Sequence, residues 1–297
     1  MGMAYELLST PVAYAARPRP AGRPRRSPCA ALSFGPDALQ RCVLWEPEKV
    51  LHPEVVMYFH GGGYLVGAPE SMQNAADVYT SQGYRFCSVG FRLMPHDRFP
   101  AQVDDAFAGV SAACDWLASR GVDAGRVIVG GSSCGGHLAY LLAYAPELQR
   151  EHGLDASRIR GVVSVAGVAE ADNMLLDWFW TPAVRRAFLD LPGAGGHSRE
   201  EVHRALRAYS PLELARRDDV PATPLFVVHG RADRMSPYER SVELVRTLDA
   251  RRPGQAELCT VDSWWWQHMV LTVCLHKRTP ADFAPLASLF SWLGRLS

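Results

Sequence analysis

Residues 127–136 read VIVGGSSCGG, so an apolar run passes directly into the glycine-flanked Ser133. This order constrains the fold strongly, because a strand, a sharp turn and a helix together hold a serine hydroxyl above the edge of a sheet. The glycines two residues before and two residues after Ser133 allow the chain to turn without side-chain clashes. Since glycine and serine are common residues, the G-x-S-x-G pattern needs support from elsewhere in the chain.

A second glycine-rich segment provides that support. Residues 55–59 read VVMYF and lead directly into HGGG at 60–63. Negative charge develops on a carbonyl oxygen when a serine attacks it, and backbone N–H groups that face this oxygen stabilise the charge. Gly62, Gly63 and the main-chain N–H of Cys134 are therefore candidate oxyanion donors. A flexible loop is the alternative for HGGG alone, and the serine turn makes that alternative less favoured.

A serine hydroxyl is a poor nucleophile near neutral pH, so it requires a histidine base and usually a carboxylate that orients the histidine. Residues 225–233 read LFVVHGRAD, and this strand-like run ends in a turn that carries Asp233. The next strand-like run, 256–261, is followed closely by WWWQH, which places His268 on a loop. Ser133, Asp233 and His268 are therefore the candidate nucleophile, acid and base, and each comes just after a strand.

Other residues compete with Asp233 and His268 for these roles. Asp262 is close to His268 in sequence, but it lies at the end of its strand and is too local to orient the histidine ring. Glu239 falls inside a helical pattern. His229 is interpreted as a strand-end histidine whose hydrogen bonds are satisfied.

Two neighbours of Ser133 are rivals for the role of nucleophile. Ser132 is a second serine in the turn, but only Ser133 has glycines at both flanking positions. The Cys134 thiol is an alternative because helix N-termini lower thiol pKa values. A packing role suits Cys134 better, since the residue after the turn points along the start of the helix and not into the site.

Strand-like apolar runs alternate with segments of helical periodicity through much of the chain. The predicted strands cover residues 42–45, 55–59, 85–89, 127–129, 161–166, 225–228 and 256–261. The predicted helices cover residues 75–82, 103–119, 135–144, 240–249 and 283–293. This alternation predicts an α/β fold in which helices cover both faces of a mostly parallel central sheet.

Two segments depart from the alternation. Residues 17–28 read RPRPAGRPRRSP, and we expect an extended arm within residues 1–40, with a transit peptide or an anion-binding tail as alternatives. Residues 168–211 combine aromatic residues with a Gly-rich stretch, and we interpret them as a small helical lid insertion in a domain that spans 41–297. The alternative is that these aromatic side chains pack into the core.

Aromatic residues in the lid segment and near the candidate catalytic residues are expected to form the wall of a substrate pocket, since small-molecule pockets are mostly apolar. These residues are Tyr64, Trp178, Phe179, Trp180, Trp264, Trp265 and Trp266. Three successive tryptophans cannot all face one pocket, so one or two of them are expected in the core.

Composition narrows the range of partners. The 31 basic and 31 acidic residues balance to zero formal charge, so no global field attracts nucleic acid or an anionic membrane. Seven scattered cysteines without a C-x-x-C pair predict neither a disulfide framework nor a zinc site, and they favour a reducing cytoplasm. No apolar stretch approaches the length of a membrane span. The expected partner is a small-molecule ester or acyl compound, with no metal or other cofactor and with a homodimer left open.

Three stretches carry a family resemblance, HGGGYLVGAPES from residue 60, FRLMPHDRFPAQVDDA from residue 91 and RVIVGGSSCGGHLA from residue 126. They resemble the hormone-sensitive-lipase-type carboxylesterases of the α/β-hydrolase superfamily. The resemblance implies the α/β-hydrolase fold and assigns the triad and the oxyanion donors to the six residues already selected. Members usually read GDSAG at the serine turn, whereas this chain has Ser132 and Cys134 there, and GGHLA also resembles arylformamidases and feruloyl esterases.

The expected function is hydrolysis of carboxylic esters of small or medium, apolar or aromatic substrates by a serine carboxylesterase-like enzyme, through an acyl-enzyme. The first alternative is a tailoring enzyme that uses the same oxyanion hole for transacylation, lactonisation, elimination or cyclisation. The atypical serine turn and the aromatic insertion motivate it. The second alternative is a non-catalytic ligand-binding protein on this fold, which the presence of all three candidate triad residues disfavours.

Overall fold

A computed structural model describes residues 25–171 and 199–296, and the predicted strands lie side by side there in one eight-stranded sheet. The strands are β1 (Ala30–Ser33), β2 (Arg41–Trp45), β3 (Val55–Phe59), β4 (Arg85–Val89), β5 (Val127–Ser132), β6 (Ile159–Val165), β7 (Leu225–Gly230) and β8 (Ala256–Val261). Their spatial order is β1-β2-β4-β3-β5-β6-β7-β8. The β1–β2 and β2–β4 pairs are antiparallel, and the other pairs are parallel.

Helices connect many of these strands and cover both faces of the sheet. They are α1 (Gln73–Ser81), α2 (Ala101–Ala118), α3 (Cys134–Tyr144), α4 (Pro146–Glu151), α5 (Arg199–Leu206), α6 (Pro211–Ala215), α7 (Tyr238–Arg251), α8 (His268–Cys274) and α9 (Ala284–Gly294). Short 3-10 turns precede α1, β6 and α6 and follow α8. This architecture confirms the predicted α/β fold.

The central strands are buried on both faces, as parallel strands covered by helices must be. On β3, Val55, Met57 and Phe59 face an apolar layer completed by α2, α3, α6 and α7. Val56 and Tyr58 face the opposite layer, which α1, α8 and α9 complete. Because side chains alternate along a strand, a single apolar run supplies both layers of the core.

The parallel strands bring their carboxyl ends to one edge of the sheet, where ligands bind in open α/β folds. The glycine-rich turn follows β3, and Ser133 follows β5. Asp233 follows β7, while His268 follows β8. The topology therefore gathers at one edge four segments that are widely separated in sequence.

Several elements differ from the sequence-based prediction. The arm expected over residues 1–40 contributes an edge strand, β1, which pairs with β2; its half-exposed alternation of Ala, Leu and Ser gives a weak strand signal. His268 is the first residue of helix α8 and not part of a loop. Residues 1–24, most of the predicted arm, and 172–198, most of the predicted lid, lie outside the described residues.

Hydrogen bonds and ion pairs anchor the segment 92–100, which lies within the second of the three stretches that carry the family resemblance. Arg92 donates to the buried carboxylate of Asp105, with its backbone N–H 2.8 Å from Oδ2 and its guanidinium 2.8 Å from Oδ1. A second branch of the guanidinium pairs with Asp97 at 3.1 Å. The Asp105 carboxylate also accepts from Gln40 at 2.8 Å. These contacts fasten the loop after β4 to helix α2.

Candidate active site

Ser133 occupies a sharp turn between β5 and α3. Its backbone angles, φ of 55° and ψ of −122°, lie outside the regions that L residues favour, and such strain costs on the order of 1–3 kcal/mol. The flanking glycines make the turn possible, because a Cβ atom at Gly131 would lie 2.2 Å from the carbonyl carbon of Gly135. A Cβ atom at Gly135 would lie 2.3 Å from the backbone oxygen of Phe59. The two glycines therefore allow the nucleophile turn to pack directly against the end of β3.

We expect Gly135→Ala to destabilise the protein by roughly 3 kcal/mol or more, because the new methyl group would meet backbone atoms of Phe59 and His60 that cannot rotate away. Thermal unfolding measures the loss. Gly294→Ala is the matched control, since nothing lies within 4 Å of an ideal Cβ at that position. Equal melting temperatures for the two variants would contradict the assigned clash.

A continuous chain of hydrogen bonds links the three predicted triad residues. The Ser133 hydroxyl lies 2.8 Å from Nε2 of His268, and Nδ1 of His268 lies 2.8 Å from Oδ2 of Asp233. The three residues are 9%, 3% and 3% exposed, respectively. Since the Asp233 carboxylate accepts from Nδ1–H, the imidazole presents an unprotonated Nε2 to the serine hydroxyl. This arrangement can remove the proton from Ser133 as its oxygen attacks a substrate.

The Asp233 carboxylate is held by more donors than sequence reasoning anticipated. Oδ1 accepts from the backbone N–H groups of Met235 at 2.9 Å and Ser236 at 3.0 Å. Oδ2 accepts from His229 Nε2 at 3.0 Å as well as from His268. Burial alone would raise the pKa of Asp233, but electrostatic attraction to His268 and the hydrogen bonds from His229 and His268 outweigh it and hold this pKa well below its ordinary value of 3.8. Asp233 is therefore an anion at neutral pH.

The hydrogen bonds of His229 fix the position of one of its ring hydrogens. Its Nε2 lies 3.0 Å from both Asp233 Oδ2 and the carbonyl oxygen of Ser236, so Nε2 carries a hydrogen that both acceptors share. Its Nδ1 lies 2.8 Å from the Ser241 hydroxyl. The expectation that its hydrogen bonds are satisfied is met by these partners, but one of them is the triad carboxylate. The spacing H-x-x-x-D in residues 229–233 was the available sequence signal.

The alternative acids lie elsewhere. Asp262 forms an exposed ion pair with Arg231, with 3.2 Å between Nη2 and Oδ2, and it does not orient the histidine ring. Glu239 is exposed in the first turn of α7. Both placements agree with the preference for Asp233.

A cavity of about 580 Å³ opens over the Ser133–His268 pair. Gly62 and Gly63 line it, so the structure brings the predicted oxyanion turn and the serine to one space. Cys134 is the first residue of α3, which places its N–H in the unpaired first turn of a helix. Methionine side chains that the sequence did not single out also line this cavity, at Met72, Met235 and Met269. Met235 and Met269 are near neighbours in sequence of Asp233 and His268, which is the signal that could have identified them.

Four of the seven residues of the predicted aromatic wall are among the described residues, and none of these four lines the cavity. Tyr64 is fully buried beneath the glycine-rich turn and does not line the cavity. Trp264 is 67% exposed and packs edge-on against Trp265, while Trp266 stacks on Phe283 in the core at 4.6 Å. These residues were predicted to line the pocket because they are apolar, but apolar side chains fill cores as readily as pockets. Trp178, Phe179 and Trp180 lie outside the described residues.

The two atypical residues of the serine turn have separate roles. The Ser132 hydroxyl is hydrogen-bonded to the buried Tyr58 hydroxyl at 3.0 Å. The Cys134 thiol is completely buried and lies 3.8 Å from the backbone oxygen of His60. Burial raises the pKa of Cys134 to about 11, although nearby backbone N–H groups of Tyr64 and Gly63 oppose this. The thiol is therefore protonated and packed, in agreement with the expected packing role.

Two buried imidazoles make folding stability depend on pH. Burial lowers the pKa of His60 and that of His137 from 6.5 to about 4. Between these values the unfolded chain binds protons that the folded protein excludes, so stability is full above pH 6.5 and falls as the pH drops towards 4. The expected loss is up to roughly 3 kcal/mol for each ring. Denaturant titrations across this window measure it, and His137→Asn should remove about half of the slope. A flat profile would contradict neutral burial of the two rings.

In residues 25–171 and 199–296, no three His, Cys, Asp or Glu side chains come together in a way that would hold a metal ion. Among the helices of the same two ranges, none combines the length and apolar composition that a bilayer crossing requires.

Known proteins resemble this chain in sequence and in fold. Esterase LipC of Mycobacterium tuberculosis (strain ATCC 25618 / H37Rv) is 29% identical over 244 residues, which cover 76% of this chain and 57% of LipC. Ethyl acetate hydrolase of Pseudomonas putida is 34% identical over 119 residues, 40% of this chain and 37% of that protein. The chain thus spans less than two thirds of the length of these curated relatives.

A solved structure matches more completely. The truncated form of a carbohydrate esterase from gut microbiota superimposes with a TM-score of 0.71 over 94% of this chain and 99% of that chain, at 16% identity. At this identity the match concerns the fold, and it confirms the α/β-hydrolase fold that the motifs implied. The BD-FAE family model matches residues 44–248, which is more than half of the sequence. The chain therefore belongs to the BD-FAE family and has the fold of the α/β-hydrolase esterases.

Proposed function

We propose that this protein is a serine hydrolase that cleaves carboxylic esters of small or medium, apolar or aromatic substrates through an acyl-enzyme. The observation that carries the proposal is the hydrogen-bonded chain from Ser133 through His268 to Asp233 at the base of a cavity. Nucleophile, base and acid in this arrangement perform acyl transfer on several unrelated folds. The names of the relatives, an esterase and an ethyl acetate hydrolase, support the same reaction.

In the proposed reaction, Ser133 Oγ attacks the ester carbonyl carbon while His268 Nε2 takes the hydroxyl proton. The carbonyl oxygen becomes an oxyanion, which the N–H groups of Gly62, Gly63 and Cys134 stabilise. The intermediate collapses, the alcohol leaves with the proton from His268, and the acyl group stays on Ser133. A water molecule then attacks the acyl-enzyme by the same route and releases the carboxylic acid.

The cavity supports the proposed substrate class. Its apolar lining includes Met72, Met235 and Met269, and unbranched thioether side chains adapt to groups of different shape. Its volume of about 580 Å³ lies within the range of small-molecule sites. An ester with an apolar or aromatic group on either side of the carbonyl fits this lining. A cytoplasmic location is part of the proposal, supported by buried thiols at Cys42, Cys87 and Cys114 that form no disulfide.

A panel of p-nitrophenyl and alkyl esters that vary separately in acyl and alcohol groups tests this function. We expect hydrolysis that depends on Ser133, together with stoichiometric labelling of Ser133 by a fluorophosphonate probe. Hydrolysis that survives in Ser133→Ala would contradict the mechanism. Labelling without turnover of any ester in the panel would instead favour the tailoring reactions, and absence of both would favour a ligand-binding protein.

A further inference from the structure

Tyr64 has an unusual backbone conformation directly beside the proposed oxyanion donors. Its φ is 63°, in the left-handed region, and it follows Gly62 and Gly63, whose φ angles are 126° and 64°. A residue with a side chain adopts this conformation only at a cost in free energy, so the surrounding structure must hold it there. Its side chain is fully buried and is positioned to provide that hold.

The side chain of Tyr64 forms one short hydrogen bond whose direction can be assigned. Its hydroxyl lies 2.7 Å from Nδ1 of His137, and Nε2 of His137 lies 2.6 Å from the carbonyl oxygen of Tyr209. Because a carbonyl only accepts, Nε2 carries the ring hydrogen. Burial keeps the pKa of His137 at about 4, so the neutral ring leaves Nδ1 as an acceptor. Tyr64 therefore donates to His137.

This bond joins the two sides of the proposed oxyanion hole. His137 lies in the first turn of α3, where its N–H donates to the carbonyl oxygen of Ser133 at 3.1 Å. The Tyr64 hydroxyl also lies 3.3 Å from the carbonyl oxygen of Cys134. One end of the contact thus fixes the turn that carries Gly62 and Gly63, and the other fixes the start of the helix that carries the Cys134 N–H.

Aromatic packing also holds the Tyr64 and His137 side chains in place. The ring of Phe99 packs against Tyr64 at 5.8 Å, against His137 at 6.3 Å and edge-on against Tyr209 at 5.1 Å. All three distances join ring centroids. The hydrogen bond therefore lies between two side chains that are both 0% exposed, where its loss leaves a buried acceptor unsatisfied.

We propose that Tyr64 and His137 are positioning residues that set the spacing between the oxyanion donors of the glycine-rich turn and the donor at the start of α3. The inference rests on the proposed ester hydrolysis. Neither side chain lines the cavity, so both act through the backbone. A displaced donor weakens stabilisation of the transition state more than binding of the neutral ester, so kcat should fall while KM changes little.

Tyr64→Phe is the first test, because it removes only the hydroxyl. We expect kcat to fall by roughly 10- to 100-fold, less than or comparable to the loss of one whole oxyanion donor. Tyr144→Phe is the matched control, since Tyr144 lies on α3 with His137, is as fully buried as Tyr64 and donates to Thr223 O at 2.8 Å. Both variants should lower the melting temperature, but Tyr144→Phe should retain kcat. Unchanged kcat in Tyr64→Phe, or equal losses in the two variants, would overturn the proposal.

Two substitutions of His137 separate its two hydrogen bonds. An asparagine oxygen can take the place of Nδ1 and accept from Tyr64, whereas a glutamine nitrogen can take the place of Nε2 and donate to Tyr209. We expect His137→Asn to keep most of the kcat and His137→Gln to resemble Tyr64→Phe. A larger loss in His137→Asn than in His137→Gln would overturn the assigned role of the Tyr64 contact.

The rate of fluorophosphonate labelling distinguishes failure of the inference from failure of the proposed function. Phosphonylation of Ser133 uses the same nucleophile and the same N–H donors without requiring the natural ester. Slower labelling of Tyr64→Phe than of Tyr144→Phe supports the inference. Equal labelling rates in wild type and Tyr64→Phe overturn the inference alone, whereas a wild-type protein that neither labels nor hydrolyses esters overturns the proposed function and the inference with it.

Discussion

Ser133→Ala should lower kcat for ester hydrolysis on the order of 10⁶-fold, the largest effect expected of any single substitution in this protein. The hydroxyl that lies 2.8 Å from His268 Nε2 would be absent, so no acyl-enzyme could form. The alanine side chain fits the space that the serine leaves, so folding should be little affected. Steady-state kinetics on the best ester of the panel measure the loss, and the melting temperature reports on the fold.

Ser132→Ala is the matched control for that experiment. It removes a hydroxyl from the adjacent position of the same turn, where the partner is Tyr58 and not the histidine. We expect it to retain most of the activity and to reduce stability by about 1 kcal/mol, the usual value of one buried hydrogen bond. Comparable loss of kcat in both variants would contradict the assignment of Ser133 as the sole nucleophile.

Asp233→Asn should lower kcat by roughly 10⁴-fold. The carboxylate accepts from both His268 and His229 at a single oxygen, Oδ2. An asparagine amide that offers its N–H₂ group there would oppose the Nδ1–H of His268 and favour the tautomer with hydrogen on Nε2. The ring could then no longer take the proton from Ser133. Kinetics near neutral pH measure the loss, and they avoid any titration of the acid because its pKa is well below 3.8.

Asp262→Asn provides the comparison for Asp233→Asn. Asp262 is the other aspartate near His268 in sequence, but its carboxylate is exposed and paired with Arg231. An exposed pair of this kind contributes little, so we expect activity and stability close to those of the wild type. A loss of activity in Asp262→Asn that approaches that of Asp233→Asn would mean that the acid had been assigned to the wrong strand end.

The strands that could be predicted most clearly from the sequence are those with a continuous apolar run. Strands β3, β5 and β7 are continuous apolar runs that stop at glycine or polar residues, so their positions and the residues just after them were predictable. Strand β1 contains Ala and Ser and is half exposed, and such a short edge strand forms because β2 pairs with it. The sequence of β1 does not reveal that β2 is its pairing strand, which only the folded structure shows.

The same limit applies to side-chain environments. An aromatic residue next to HGGG could face the cavity or lie beneath the turn, and the left-handed backbone of Tyr64 decides between them. His229 was interpreted as an ordinary strand-end histidine because the H-x-x-x-D spacing brings its ring to Asp233 only when the intervening turn folds back onto the ring. Helix α8 reads HMVLTVC. Because the segment is short and contains β-branched residues, its sequence pattern does not distinguish a helix from a strand.

One functional group follows each of β3, β5, β7 and β8. The protein can therefore become catalytically active only after these four strands have come together during folding. Ser133 and His268 are separated by 135 residues, and contacts between such distant parts of a chain form late and slowly. Local helices can appear before the sheet is complete, but none of them unites nucleophile, base and acid. Recovery of hydrolysis after unfolding therefore reports the assembly of the sheet edge at which Ser133, Asp233 and His268 meet, and not the formation of helices alone.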